Sequence, residues 1–230
     1  MNINKRKKIL KKFSKSARTS LQWIIQSRRD IRHFLSKPIP NRILIHILKM
    51  GHAAPSVGFM QPWNFILIRS ARTRKKIKDQ FEKINQTELT RISEQDRKTI
   101  YSKLKLEGIL ETPLNIAVTC DHRRDRPFIL GNAPMPETDL YSTCLAIQNM
   151  WLVARAEGIG IGWVSIINRK VTEEILKLPD GVQLVAYLCL GYPKEFREKP
   201  LLEEVGWKQR MNLKSLVFDE QWNRKTSLEI

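Results

Sequence analysis

The chain is 230 residues long, 42% hydrophobic, and carries 41 Lys and Arg against 23 Asp and Glu, a formal charge of +18 at pH 7. That length suits one sizeable core plus an appended segment, and no run approaches the roughly 18 apolar residues a membrane span would need. The basic excess clusters in Lys5 to Arg18 and again in Arg69 to Lys78 without a helix-turn-helix, zinc-finger or RNA-binding signature; a solvated lysine-rich surface is therefore expected ahead of a nucleic-acid site.

The lysine-rich start has no apolar run followed by small residues, so no secretory signal is expected and the cytoplasm is the expected setting. Cys120, Cys144 and Cys189 are widely spaced inside apolar runs. They read as buried thiols rather than as a disulfide or zinc framework, and no metal site is expected.

In chain order, residues 1–19 read as a basic extension and 20–230 as the folded domain. Ser20 to Gln26 has helical spacing, with Leu21, Ile24 and Ile25 on one face. Arg28-Arg29-Asp30-Ile31-Arg32 then packs three guanidiniums into five residues, either a fork for a phosphate or carboxylate or a surface cluster neutralised by Asp30. Asn41 is placed to cap a helix whose Ile43, Leu44, Ile47 and Leu48 form an apolar stripe ending near Gly51. His52 follows as a hydrogen-bonded packing residue, with no second ligand at metal-binding spacing.

Ala53 to Ile68 reads as a loop feeding a strand over Phe65 to Ile68. In it Ser56 and Gln61 offer polar tips, Gly58 permits close backbone approach, and Met60 and Trp63 offer apolar surface to a planar ligand. The alternative is a buried turn whose Trp63 and Phe65 are ordinary core. Ala71 to Leu110 is charged and rich in helix formers, suited to a lid or partner-facing arm, and Leu114 to Thr119 is the next strand. After a loop from Asp121 to Pro136, Asp139 to Glu157 is a helix apolar on most sides and so central.

Gly158, Gly160 and Gly162 then alternate ahead of a strand at Val164-Ser165-Ile166. Alternate glycines bare one face of an extended segment, which would let a flat ring approach the backbone. The order is helix, glycines, strand, unlike the dinucleotide fingerprint. Val182 to Leu190 is a further strand, followed by a basic and aromatic arm with Trp207, Lys208, Arg210 and Trp222. Interleaved helices and strands imply an α+β fold with a central mixed sheet flanked by helices.

Four stretches together, Arg28 to Arg32, Ala54 to Trp63, Pro136 to Ser142 and Glu157 to Ile166, resemble the flavin-binding nitroreductase superfamily. Within it they most resemble its BluB branch, the 5,6-dimethylbenzimidazole synthases. The resemblance runs from about Ser27 to Trp222. It implies a homodimer with an exchanged C-terminal arm and FMN in pockets shared by both chains. The family's first motif reads approximately Arg-x-Ser-x-Arg, and Asp30 replaces its serine, as in that branch.

By resemblance, Arg28, Arg29 and Arg32 anchor the flavin, with Asp30, Ile31, Ser56, Met60, Gln61, Leu106, Gly162, Trp163, Ser165, Lys208 and Arg210 around it. The implied reaction consumes reduced FMN and dioxygen and yields 5,6-dimethylbenzimidazole, the lower ligand of cobalamin, and erythrose 4-phosphate. A separate flavin reductase would supply the reduced FMN. Asp30 is the candidate for proton handling, with its ionised form favoured by flanking arginines, and Ser165 the candidate for hydrogen bonding to the reacting ring. A conventional NAD(P)H-dependent nitroreductase and a non-catalytic flavin- or nucleic-acid-binding protein are the alternatives.

Overall fold

The computed structural model describes residues 12–124 and 127–229, so most of the basic start, Met1 to Lys11, lies outside the described residues. Helix α1, Lys15–Ser27, is capped by Ser14, whose Oγ accepts from Ala17 N at 3.2 Å. It therefore starts five residues before the helix expected at Ser20 and crosses the expected boundary of the extension. No residue of α1 is buried. Helix α2, Asn41–His52, buries Ile43, Leu44 and Ile47, as the apolar stripe requires. Its cap is Pro40 with no side-chain hydrogen bond, and Asn41 is already inside the helix.

A single 3-10 turn, Val57–Phe59, leads to β1, Trp63–Ile68. The charged stretch forms α3, Ala71–Arg91, and α4, Gln95–Lys103. Strand β2, Leu114–Asp121, is followed by the long α5, Thr138–Ala156, then β3, Gly160–Val164. The alternating glycines thus lie inside β3, and Ser165 and Ile166 fall beyond its end rather than in a strand. Helix α6, Arg169–Leu176, is capped by Asn168, strand β4 is Val182–Gly191, and a one-turn α7 is Leu201–Glu204.

The four strands run in the order β1-β2-β4-β3. All three pairings are antiparallel. The expected mixed sheet is corrected accordingly; the parallel feature here is one bridge between Asp30 and Ile161, where the chain after α1 lies along β3. Burial on both faces explains why β2 and β4 read as nearly continuous apolar runs.

One face packs on α2 and α5 through Ile116, Val118, Leu188 and Leu190, against Ile47, Ile147 and Met150. The other packs Ile31, Phe34, Ala117, Tyr187 and Cys189 against Ile77 and Phe81 of α3. Pairing shifts between Val118 and Thr119, a bulge that reverses side-chain parity in β4, so Leu184 joins the second face and Ala186 the first. The central placement of α5 holds, but one side is open: Tyr141 and Leu145 are exposed. Cys144 is exposed with them, while Cys120 and Cys189 are buried, so the expectation of three buried thiols holds for two. No helix among the described residues is long and apolar enough to cross a membrane.

Candidate functional site

The arginine cluster is an extended strip laid on the edge of the sheet. Arg28 leaves α1 in an extended conformation, and Ile31 N donates to Ile161 O at 3.0 Å. The strip can lie this close only because β3 has glycine at two positions. A Cβ on Gly162 would stand 2.1 Å from the Ile31 carbonyl oxygen, and one on Gly160 would meet Ile31 Cγ1 at 2.8 Å. The face bared by the glycines is therefore filled by Ile31, not left for a flat ring.

The strip fixes Asp30 and Arg32 against β3. Asp30 Oδ1 accepts from Trp163 N at 3.0 Å, and Oδ2 lies 2.5 Å from Arg32 Nη2, which also donates to Trp163 O at 2.8 Å. Arg32 Nη1 is buried without a hydrogen-bond partner among the described residues. A buried guanidinium nitrogen left in this way calls for an acceptor, since an unmade charged hydrogen bond is costly.

Asp30 keeps 43% of its side chain open to a cavity and is walled by protein elsewhere. Burial pushes its carboxyl above the ordinary value, against the opposing pull of Arg32, the Trp163 N–H and Arg28. The expected preference for the ionised form is overturned because desolvation outweighs the flanking arginines. Burial also lowers the pKa of Arg28, whose guanidinium lies 4.8 Å over the Trp151 ring of α5. Arg29 donates to Gln26 O at 2.7 Å, Arg28 O at 2.8 Å, and to Glu198 O. Its two terminal nitrogens are occupied by main-chain carbonyls, which hold the Glu198 segment over the strip, while its Nε, like Arg32 Nη1, is buried without a partner among the described residues.

These residues open onto one cavity of about 740 Å³, lined by Arg28, Arg29, Asp30, Arg32, Leu106 and Arg210 among others. Lys105 and the Glu198 to Glu203 segment complete its wall. Lys208 lines an adjoining hollow that shares Arg210. The arm carrying both is held at Trp207, 6.4 Å from the Tyr101 ring and 5.2 Å from the Arg97 guanidinium of α4. Lys105, Trp151 and the Glu198 segment are the parts sequence reasoning missed; Lys105 beside Leu106 was the available signal.

The loop from Ser56 to Trp63 lies elsewhere in the chain. Ser56 Oγ accepts from Gln61 N at 3.0 Å, Val57 N donates to Ser142 Oγ at 3.1 Å, and Gln61 Nε2 donates to Phe59 O at 3.0 Å. Phe59 and Gln61 have φ of 57° and 49°, a left-handed backbone that the surrounding bonds must hold. Met60 and Gln61 line a different cavity of about 540 Å³ with Leu48, His52 and Phe65. Trp63 is core, and its indole N–H donates to His52 Nδ1 at 3.2 Å, so both residues take the packing role. Ser165 is exposed just past β3 and lines neither cavity. Within one chain, then, Ser56, Met60, Gln61 and Ser165 do not join the Arg28 cavity.

The sequence profile of the nitroreductase family matches residues 25–192. The 5,6-dimethylbenzimidazole synthase of Rhodospirillum rubrum is 41% identical over 198 residues, 86% of this chain and 93% of that protein. That of Rhodobacter capsulatus is 34% identical, over 86% of this chain and 96% of its own length. Among solved structures, oxidized iodotyrosine deiodinase bound to FMN and 3-iodo-L-tyrosine superposes with a TM-score of 0.66 at 20% identity, over 77% of this chain and 91% of that one. The last likeness is one of fold. The profile match together with near full-length identity to two synthases places the chain in the nitroreductase family, on its dimethylbenzimidazole synthase branch.

Proposed function

We propose that the chain is an oxygen-dependent 5,6-dimethylbenzimidazole synthase that takes reduced FMN as its substrate in the Arg28 cavity. The observation that carries this reading is Asp30. Where the family's motif has serine, this chain places a carboxyl at the cavity wall, fixed by the Trp163 N–H and Arg32. The cavity's residues fit a flavin phosphoester: its volume is within the range of small-molecule sites, Arg28 and Arg210 line it, and Arg32 has a buried nitrogen in need of an acceptor.

Reduced FMN supplies both the electrons and the carbon skeleton, and with dioxygen yields 5,6-dimethylbenzimidazole, erythrose 4-phosphate and the oxygenated remainder of the flavin's pyrimidine ring. The protein's own part is to bind, orient and move protons. Arg28 and Arg32 hold the anion and the polar edge. Asp30, whose pKa burial raises above the ordinary value, can carry a proton between ribityl chain and ring, and an occupied cavity would bury it further in the same direction. Ser165, which lines neither cavity of its own chain, supplies its hydroxyl to the reacting edge only from a second copy in the dimer.

The reading includes a homodimer with an exchanged C-terminal arm, in the cytoplasm, served by a separate flavin reductase. Its support is that Ser56, Met60 and Gln61 stand apart from the Arg28 cavity of their own chain. In addition, Leu21, Trp23 and Ile25 of α1, Ile45 of α2 and Leu145 of α5 are exposed apolar residues that a second copy would cover. The test is to mix protein-bound reduced FMN with aerated buffer and chromatograph the products. Wild type should release dimethylbenzimidazole; Asp30→Asn should bind the flavin and return only reoxidised FMN. Repeated NADPH oxidation with no dimethylbenzimidazole would replace the reading with a conventional nitroreductase.

A further inference from the structure

A second group of chemistry-bearing side chains lies outside the Arg28 cavity, where β2 ends against the first turn of α5. Cys120, His122 and Asp139 each bring one ligand atom to the same point, and all three atoms lie within 4.8 Å of one another. His122 Nδ1 is 2.7 Å from Asp139 Oδ2 and 3.9 Å from Cys120 Sγ. Cys120 is fully buried, the Asp139 side chain is 3% exposed, and His122 forms the outer side at 29%.

The ring orientation suits ligation. His122 Nε2 lies 3.2 Å from Gln183 Oε1 on β4. An Nε2–H donating to that oxygen leaves the Nδ1 lone pair facing a carboxylate oxygen and a thiol, the outer-partner arrangement that orients ligating histidines. In that tautomer Nδ1 and Asp139 Oδ2 are both acceptors 2.7 Å apart, a contact that a cation between them relieves. Thiolate, imidazole and carboxylate together form the mixed donor set that zinc accepts, and their two negative charges match a divalent ion. Tetrahedral bonds of about 2.0–2.3 Å would set the donors about 3.3–3.7 Å apart, so the His122 contacts with Asp139 and Cys120 need adjustments of about half an ångström, while Cys120 and Asp139, within 4.8 Å of each other, must draw together by as much as about 1.3 Å.

We propose that Cys120, His122 and Asp139 bind a zinc-class divalent cation, with water as fourth ligand on the exposed side of His122, and that this ion braces the Ser56–Trp63 loop. The bracing follows from what the ligands' neighbours hold. On one side Asp121 N donates to Pro62 O at 2.8 Å, and Arg124 donates to Trp63 O at 3.1 Å and to Gln61 O. On the other, Ser142, one turn along α5 from Asp139, receives Val57 N at 3.1 Å. An ion joining His122 to Asp139 would lock these two supports of a loop that carries left-handed backbone at Phe59 and Gln61. Binding transfers the Cys120 thiol proton to solvent as the sulfur becomes a thiolate ligand.

The test uses the full chain, stripped with a chelator and titrated with Co(II). One equivalent should give a thiolate-to-cobalt charge-transfer band and the visible bands of a tetrahedral site, both bleached by Zn(II). Cys120→Ser should remove the charge-transfer band, Asp139→Asn should weaken binding more than about tenfold, and Cys144→Ser, at the exposed cysteine, should change neither. Zinc should raise the melting temperature with its concentration and slow amide exchange over residues 56–63. Wild type that gives no charge-transfer band, or a band lost in Cys144→Ser, overturns the site. If Cys120→Ser does not fold, the wild-type titration and the Cys144→Ser control still decide. Tight zinc binding without slowed exchange in the loop overturns the bracing role.

Discussion

Replacing Gly162 by alanine tests whether the Arg28–Arg32 strip must lie directly on β3. The added Cβ would stand 2.1 Å from the Ile31 carbonyl oxygen and 3.1 Å from Arg32 Nη1. A main-chain carbonyl cannot swing aside as a side-chain tip can, so the strip must lift by about 1 Å to relieve the contact. That lift stretches both the Ile31 N–H bond to Ile161 O and the Trp163 N–H bond to Asp30, each 3.0 Å. Overpacking against a fixed neighbour costs up to about 3 kcal/mol, which for a chain of this size lowers Tm by about 6–12 °C. Gly160→Ala meets only the Ile31 side chain, at 2.8 Å, and should cost about 1 kcal/mol, or about 2–4 °C. Because a misplacement of about 1 Å can cost ~100-fold in rate, dimethylbenzimidazole yield per bound flavin should fall far more in Gly162→Ala than in Gly160→Ala. Scanning fluorimetry and single-turnover chromatography read both effects. A Gly162→Ala protein that melts no lower than Gly160→Ala and keeps wild-type yield would refute the argument.

Three further outcomes are expected. Since burial raises the pKa of Asp30, its ionised form appears at higher pH than that of an ordinary aspartate; if the base form is required, product yield should rise with pH through that raised pKa, and Asp30→Asn should abolish the limb in a pH profile. FMN should bind more tightly than riboflavin in a fluorescence titration, and Arg32→Ala should lose affinity for FMN by about 1.5–3 kcal/mol; equal affinity for the two flavins would remove the phosphate from the binding account. On the scaffold, Asn115 donates to Ile109 O at 3.0 Å and Tyr187 Oη at 2.8 Å and accepts from Thr112 Oγ1 at 2.6 Å, so Asn115→Leu should lose about 1–3 kcal/mol per stranded partner in urea denaturation, more than Tyr187→Phe.

Local pattern carried the elements well. The apolar stripe of Ile43, Leu44 and Ile47, the short run at Phe65 to Ile68 and the apolar α5 were legible because period and burial follow from a few neighbouring residues. Strand direction was not, since interleaved helices suit either a mixed or an antiparallel sheet. The glycines at 160 and 162 were seen, but their reason was not: the residue they accommodate, Ile31, is far away in sequence and leaves no mark near them. Asp30 was legible as a departure from serine, while its protonation depends on how deeply the strip is packed. Cys120 and His122 lie two residues apart, and Asp139 joins them only through the crossing of β2 and α5, so their spacing gave no metal signature.

The bond from Arg32 to Trp163 O spans 131 residues and that from Trp163 N to Asp30 spans 133. During synthesis, α1 and the arginine strip emerge early yet have nothing to dock on, because β3 is held by β4, which ends at Gly191. The cavity wall is therefore among the last surfaces to close, after the longest loop-closure cost in the sheet has been met. In the finished molecule the same strip is joined to β3 through few bonds, so its local opening, which withdraws Ile31 from the second core face but leaves β2 and β4 paired, costs less than unfolding the sheet. A ligand that grips both Arg32 and the far wall would oppose that detachment, so amide exchange at Ile31 and Trp163 should respond to flavin before exchange in β2 or β4 does.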